Sequence, residues 1–390
     1  MIVYIKTQGA RIIKEGRHLL VKKGNDIYHT LFTYKLDQIL LFGNIEITHN
    51  ALCTLMKNNI DTVYLTRYGR YLGRLAPDES KNIFLRKRQF QLLDDHDFTL
   101  KMAKNIVAGK LSNMITLLMR IKRSRDCKDA GIKARQIRQL FSGLDEALTT
   151  DSIRGYEGRG SAIYFSALSH GFKDYPAAGF TKRVRRPPTD PVNSVLSLLY
   201  TFLMNRVYSA VRIPGLDPYT GFLHTIDYGR YSLVLDLMEE FRSTIVDTLV
   251  LSLFNLKILQ ESDFRVEIPA ISSETATQTN GEYLPDVNAD PLGRMNPGND
   301  GEKINFDLPE QRIGSQPVIP EQATGKYPVK LQHEAFNKVI SAFEKKLTAS
   351  FYYPPADRNM TYGDVIIHQA AHCRQIIEGK ADTYQPMLLK

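Results

Sequence analysis

Ser232-Leu-Val-Leu-Asp-Leu-Met-Glu-Glu-Phe-Arg242, continuing as Ile245-Val246 and Leu249-Val250-Leu251, is a strongly apolar stretch that nevertheless carries Asp236, Glu239 and Glu240. At about 100° per residue, Ser232, Asp236, Glu239 and Ser243 share one helical face, while Val234, Leu237, Met238, Phe241 and Ile245 form another. A carboxylate on such a segment must be exposed, paired or bound to a cation, because stripping water from an isolated one is very costly. The plain reading is a solvated polar stripe on an amphipathic helix. The sharper one is a shared site that includes Glu239, with Glu240 turned away from it.

Two further stretches offer partners for that helix. His224 follows Pro214-Gly215, Asp217-Pro218 and Gly221, which places it on a loop just ahead of the acidic helix. Arg154-Gly155-Tyr156-Glu157-Gly158-Arg159-Gly160 precedes the apolar run 162–168 and reads as a glycine-flanked turn that aims Glu157 into a cleft. A capping acid at a helix start is the alternative. One imidazole with two carboxylates suits Mg²⁺ or Mn²⁺, with waters completing the shell. A structural histidine beside unrelated acids fits the same residues, since the distance from Glu157 to the others is no motif. His368 and His372 stand four apart beside Cys373, but the H-E-x-x-H glutamate and a third ligand are missing. The chain also lacks a nucleotide fingerprint and a G-x-S-x-G elbow.

Around these residues the pattern divides the 390-residue chain in two. Short strands are expected at 2–5, 11–14, 18–22, 38–42 and 62–65, with one helix capped by Thr48 and faced by Ala51, Leu52, Leu55 and Met56. After Pro77-Asp78 the period becomes helical, at 86–94, 100–121, from 331 and at 362–377. The expectation is an α+β protein: a small N-terminal β-rich domain, 1–85, and a larger all-α domain, 86–390. Residues 270–326 are rich in Gly, Pro, Asn, Gln and Thr, carry nine acidic against four basic residues, and read as a long mobile insertion.

Net charge is +9, and the acidic insertion makes the remainder more basic still. Nine basic and two acidic residues lie in 110–138, including Arg120, Lys122, Arg123 and Arg125, and a second run holds Lys182, Arg183, Arg185 and Arg186. Such clusters suit a phosphate backbone, where counterion release gives affinity without base readout, although solvated basic faces look the same. Cys53, Cys127 and Cys373 are too few for a disulfide framework and point to a reducing, cytoplasmic setting. Neither a secretory signal nor a membrane span is expected.

Arg154-Gly-Tyr-Glu157-Gly, Leu223-His224 with Gly229-Arg230, the 232–242 stretch and Tyr384-Gln-Pro-Met together resemble the CRISPR-associated spacer integrase family, the catalytic subunits of CRISPR adaptation complexes. The resemblance covers nearly the whole chain outside 270–326. It implies that Glu157, His224 and Glu239 match the family's three divalent-metal ligands, that Asp236 matches an accessory acidic position, and that Arg230 joins the candidate DNA contacts. It further implies a β domain that forms homodimers, and two dimers flanking a dimer of a small partner protein in a heterohexamer on double-stranded DNA. The implied reaction is attack by the 3′-hydroxyl of a captured DNA fragment on a phosphodiester at a CRISPR repeat, with hydrolysis when water replaces the hydroxyl. A structure-specific nuclease for branched DNA in repair, or a catalytically silent DNA-binding scaffold, would share the basic clusters. Only an enzyme needs the Glu/His/Glu set.

Overall fold

The computed structural model describes residues 2–36, 38–67, 71–75, 82–173, 179–184, 187–266 and 327–389. Eight strands, β1 (Ile2–Ile5), β2 (Ala10–Glu15), β3 (His18–Lys23), β4 (Asp26–Phe32), β5 (Gln38–Phe42), β6 (Ile45–Ile47), β7 (Asp61–Leu65) and β8 (Tyr71–Leu75), make two four-stranded sheets among the described residues. One runs β1-β5-β7-β8 and the other β4-β3-β2-β6. Between β6 and β7 lies α1 (His49–Lys57), with the Thr48 hydroxyl accepting from the Ala51 amide as its cap. The five expected strands are present, and β4, β6 and β8 are additional. β4 exposes six of its seven residues and β6 has only three, so neither shows the apolar alternation of a half-buried strand.

β5 decides how this module meets the rest. Its residues, Gln-Ile-Leu-Leu-Phe, are all buried, as expected for a parallel strand covered on both faces. Ile39 and Leu41 join Ile12, Leu19, Val21 and Leu55 in a core between the sheets and α1. Leu40 and Phe42 face the other way and, with Val63 and Leu65 of β7, belong to the core of the helical part.

That part comprises α2 (Ile83–Gln91), α3 (His96–Arg125), α4 (Lys128–Arg138), α5 (Leu140–Glu146), α6 (Thr150–Leu168), α7 (Pro191–Arg212), α8 (Ser232–Phe241), α9 (Thr248–Asn255), α10 (His333–Thr348) and α11 (Tyr362–Ile377). Two small antiparallel hairpins accompany it, β9 (Phe264–Val266) with β10 (Val329–Leu331), and β11 (Ser350–Tyr353) with β12 (Arg358–Thr361). α3 and α7 flank α8. α7 starts at an Asp190 cap followed by Pro191, whose fixed φ and missing N–H suit a first turn. A buried polar knot ties α7 to the sheet: Arg74 grips Asp61 with Nε (3.1 Å) and Nη2 (2.9 Å), Gln38 donates to Asp61 and Ser209, and the Arg74 guanidinium lies 3.5 Å from the Tyr208 ring centre. The expected mobile insertion, 270–326, lies outside the described residues.

Two local expectations are corrected. Glu157 sits inside the unbroken helix α6, not on a turn. A Cβ at Gly160 would come within 2.3 Å of Leu111 Cδ2, so this glycine serves a close approach of α6 to α3. That packing overrides glycine's poor helix propensity. α8 is not a half-solvated amphipathic helix either, since every residue of it is buried.

Candidate active site

Burying α8 forces each of its carboxylates to find partners, and they find three different kinds. Glu240, facing away from the other two, accepts from the Tyr384 hydroxyl (2.7 Å), Gln369 Nε2 (3.1 Å) and the Met387 amide. Burial pushes its pKa up to about 8 against the pull of those donors, so near neutral pH it is largely a neutral acid holding the 384–389 segment. Asn113 of α3 fixes the same segment, donating to the Glu240 and Met387 carbonyls and accepting from the Leu389 amide. His372, one of the paired histidines, serves it too: Nε2 accepts from the Gln385 amide and the ring stacks on Tyr384.

Asp236, fully buried, accepts from the amides of Phe222 (2.5 Å), Leu223 (2.9 Å) and His224 (2.9 Å). Its Oδ1 also meets His224 Nδ1 at 2.7 Å. Gly221 permits this, since a Cβ there would lie 2.5 Å from the Ser232 carbonyl carbon and 2.8 Å from Asp236 Oδ2. A carboxylate ringed by donors acts as acceptor only, so Nδ1 carries the hydrogen and the Nε2 lone pair is left available. The 213–231 connection is steadied from α2, where Gln89 donates to the Asp217 carbonyl and accepts from the Asp217 amide, both at 2.9 Å. His224 therefore emerges from a loop, as expected, but a rigidly tethered one.

Glu239, 3 % exposed, completes the arrangement. His224 Nε2 lies 3.9 Å from its Oε1, while Arg242 Nε (3.0 Å) and Lys110 Nζ (2.5 Å) approach its Oε2. Burial pushes its pKa up, but Arg242 and Lys110 outweigh that and hold it at about 2. Lys110 Nζ also contacts Glu157 Oε1, which the Ser161 hydroxyl reaches at 2.9 Å. At Glu157 too, burial acts upward and Lys110 brings the net shift below the usual carboxylate value. The backbone changes here from α to π over Arg242–Asp247, a local irregularity that often marks functional sites. Arg242 there reaches Glu239, and Asp247 accepts from the Tyr164 and Tyr200 hydroxyls, both at 2.6 Å.

Glu157 from α6, His224 from the loop and Glu239 from α8 thus converge, with Asp236 behind the histidine. As the side chains stand, no group of three His, Cys, Asp or Glu among the described residues is closed to metal-ligand spacing. Lys110 fills the position between the two glutamates. The donor chemistry still fits a divalent ion: a buried and a half-buried carboxylate already share one cation, and an imidazole nitrogen oriented by a buried carboxylate points at one of them.

The candidate DNA contacts divide. Arg123 and Lys182 are exposed, and Arg120 and Lys122 half-buried. Arg125 donates to the Gly171 carbonyl, and Arg183 to Asn193 Oδ1 (2.8 Å) and Ser197 Oγ (3.0 Å). Arg230 is buried and donates to Thr225 Oγ1. Arg185 and Arg186 lie outside the described residues. Sequence reasoning missed Lys110 by counting it with the surface cluster, and it missed Arg242, whose position one turn after Glu239 was the available signal.

Residues 3–277 match the family model described as CRISPR associated protein Cas1. The CRISPR-associated endonuclease Cas1 3 of Thermus thermophilus is 32 % identical over 324 residues, 83 % of this chain and 91 % of that protein. Cas1 1 of Chlorobaculum tepidum is 35 % identical over 269 residues, 68 % of this chain and 78 % of that protein. A solved CAS1 protein from Thermotoga maritima superimposes with a TM-score of 0.74 at 19 % identity, over 98 % of this chain and 99 % of that one. A casposase bound to integration product gives 0.74 at 19 % identity, over 100 % of this chain and 94 % of that one, which extends the likeness of fold to a DNA-joining enzyme. With the family model spanning most of its length and relatives above 30 % identity, the chain belongs to the Cas1 family of CRISPR-associated endonucleases.

Proposed function

We propose that this chain is the catalytic subunit of a CRISPR adaptation complex, joining captured DNA to a repeat through a divalent-metal site made by Glu157, His224 and Glu239. Family membership supports the class of chemistry. The observation that carries the site is the convergence of buried Glu239 and half-buried Glu157 on one cation, beside an imidazole whose free nitrogen is fixed by Asp236. A bound Mg²⁺ or Mn²⁺ would supply Lewis-acid stabilisation of charge developing on the phosphate oxygens. Glu157, Glu239 and His224 Nε2 would hold it, and Asp236 would keep the histidine in the ligating tautomer.

In the joining step the 3′-oxygen of the captured fragment bonds to phosphorus and its proton is lost. The phosphodiester bond at the repeat edge breaks, and its strand departs with a 3′-hydroxyl. With water as nucleophile the same exchange is hydrolysis. Arg123 and Lys182, exposed and basic, suit the flanking phosphates. A chain of a solved Cas6-RT-Cas1–Cas2 complex shares this fold over 36 % of its length at 21 % identity and a TM-score of 0.75, in keeping with assembly with a small partner; homodimers through the β module and a heterohexamer are part of the proposal. All three cysteines are free, and no helix of the described residues is long and apolar enough to cross a membrane, in keeping with work in the cytoplasm.

Alanine at Glu157, His224 or Glu239 is expected to lower 3′-end joining to a repeat duplex at least about a hundredfold, on the order of removing one electrostatic group from a transition state, with DNA binding retained. Joining at the wild-type rate by all three variants would end this assignment.

A further inference from the structure

Lys110 has no reason to be where it is as a DNA-binding residue. It is 5 % exposed, in the middle of α3, one position after a glycine against which Pro386 packs so closely that a Cβ would meet it at 2.3 Å. Its ammonium reaches one oxygen of half-buried Glu157 and one of buried Glu239, two like-charged carboxylates from different helices. Holding a buried and a half-buried carboxylate face to face calls for a shared counter-charge, since a buried charge left without a partner is strongly destabilising.

We propose that Lys110 is a positioning residue that stands in for the divalent ion, keeping Glu157 and Glu239 converged in the metal-free protein and competing with the ion for the same carboxylate oxygens. This rests on the metal reading of the site. The geometry has two consequences. Without metal, Lys110 prevents the pocket from splaying or unfolding under its own negative charge. With metal, binding displaces the ammonium from those oxygens, so measured affinity is the difference between two cations for one seat.

The test uses the full chain without DNA, measuring Mn²⁺ binding by calorimetry and Tm in chelator and in excess Mn²⁺. Lys110→Met is expected to lower Tm in chelator, to bind Mn²⁺ on the order of tenfold more tightly, comparable to outer-shell effects at metal sites, and to gain more in Tm from Mn²⁺ than wild type does. Should that variant not fold without metal, Lys110→Gln, whose amide can donate to a glutamate without a charge, is expected to show the same tightening in smaller measure. Equal or weaker Mn²⁺ affinity in the folded variant overturns the inference. Glu239→Gln separates this from failure of the site itself. Loss of Mn²⁺ binding there, with unchanged affinity in the Lys110 variants, removes only the role of Lys110. Mn²⁺ binding that Glu239→Gln does not touch removes both.

Discussion

The three acids of α8 show how identical chemistry diverges with surroundings, and Asp247, about two turns on, adds a fourth case. Buried against Tyr164 and Tyr200, it has its pKa raised to about 6, burial outweighing the two hydroxyls that donate to it and the more distant Arg242 and Arg183. Its folded value lies above that of the unfolded chain, so the folded state holds the proton more tightly. The stabilisation from this group is fully present below about pH 4 and is lost as pH rises through about 6. Thermal melts of wild type and Asp247→Asn across that range should differ in slope, with wild type falling relative to the variant as pH rises. Parallel curves would show that Asp247 ionises as freely folded as unfolded. Of these acids the sequence exposed only which share a helical face. Asp236 takes its donors from 12 to 14 positions back, but the state of Glu239, Glu240 and Asp247 depends also on distant groups, Lys110, Met387 and Tyr164, which no local pattern reveals.

Helices α3 and α6 touch through a glycine, and that contact sets the distance from Lys110 to Glu157 across their interface. Gly160→Ala would push a methyl into Leu111 and is expected to cost about 1–3 kcal/mol, as overpacking commonly does, readable by denaturant unfolding. A neutral or stabilising effect would mean that the two helices can part freely at this point. The same helices show what periodicity can and cannot deliver. Lys110 lies on the stripe with Ala103, Ile106, Val107 and Met114, so its burial was written in the helical repeat of α3; counting charge along the chain obscured it. In α6 the cluster of glycines imitated a turn, because the neighbour that makes Gly160 necessary belongs to another helix. The long segments α3 and α11 were legible from their apolar period, whereas the exposed β4 and three-residue β6 offered no alternation to detect.

Across the molecule, the β-rich and helical parts are not two closed bodies. β5 gives alternate residues to each core, and Phe42 packs edge-on against Phe202 and Phe336 on α7 and α10. The change of period near residue 85 read from the sequence separates two parts that share packing through β5. Phe42→Ala should lower stability by about 3–5 kcal/mol, the usual effect of emptying a large core site, while leaving one unfolding transition that moves as a whole in calorimetry. A split into two transitions would show that the β module folds independently of the helices. The long reach of Glu240 has a consequence of a different kind. Its Met387 partner lies 147 positions further along the chain. At roughly 5–20 residues per second, translation leaves α8 without that contact for roughly 7–30 s. During that interval Glu240 lacks the Met387 amide, so the packing of the 384–389 segment against α8 is completed only after synthesis has passed that point.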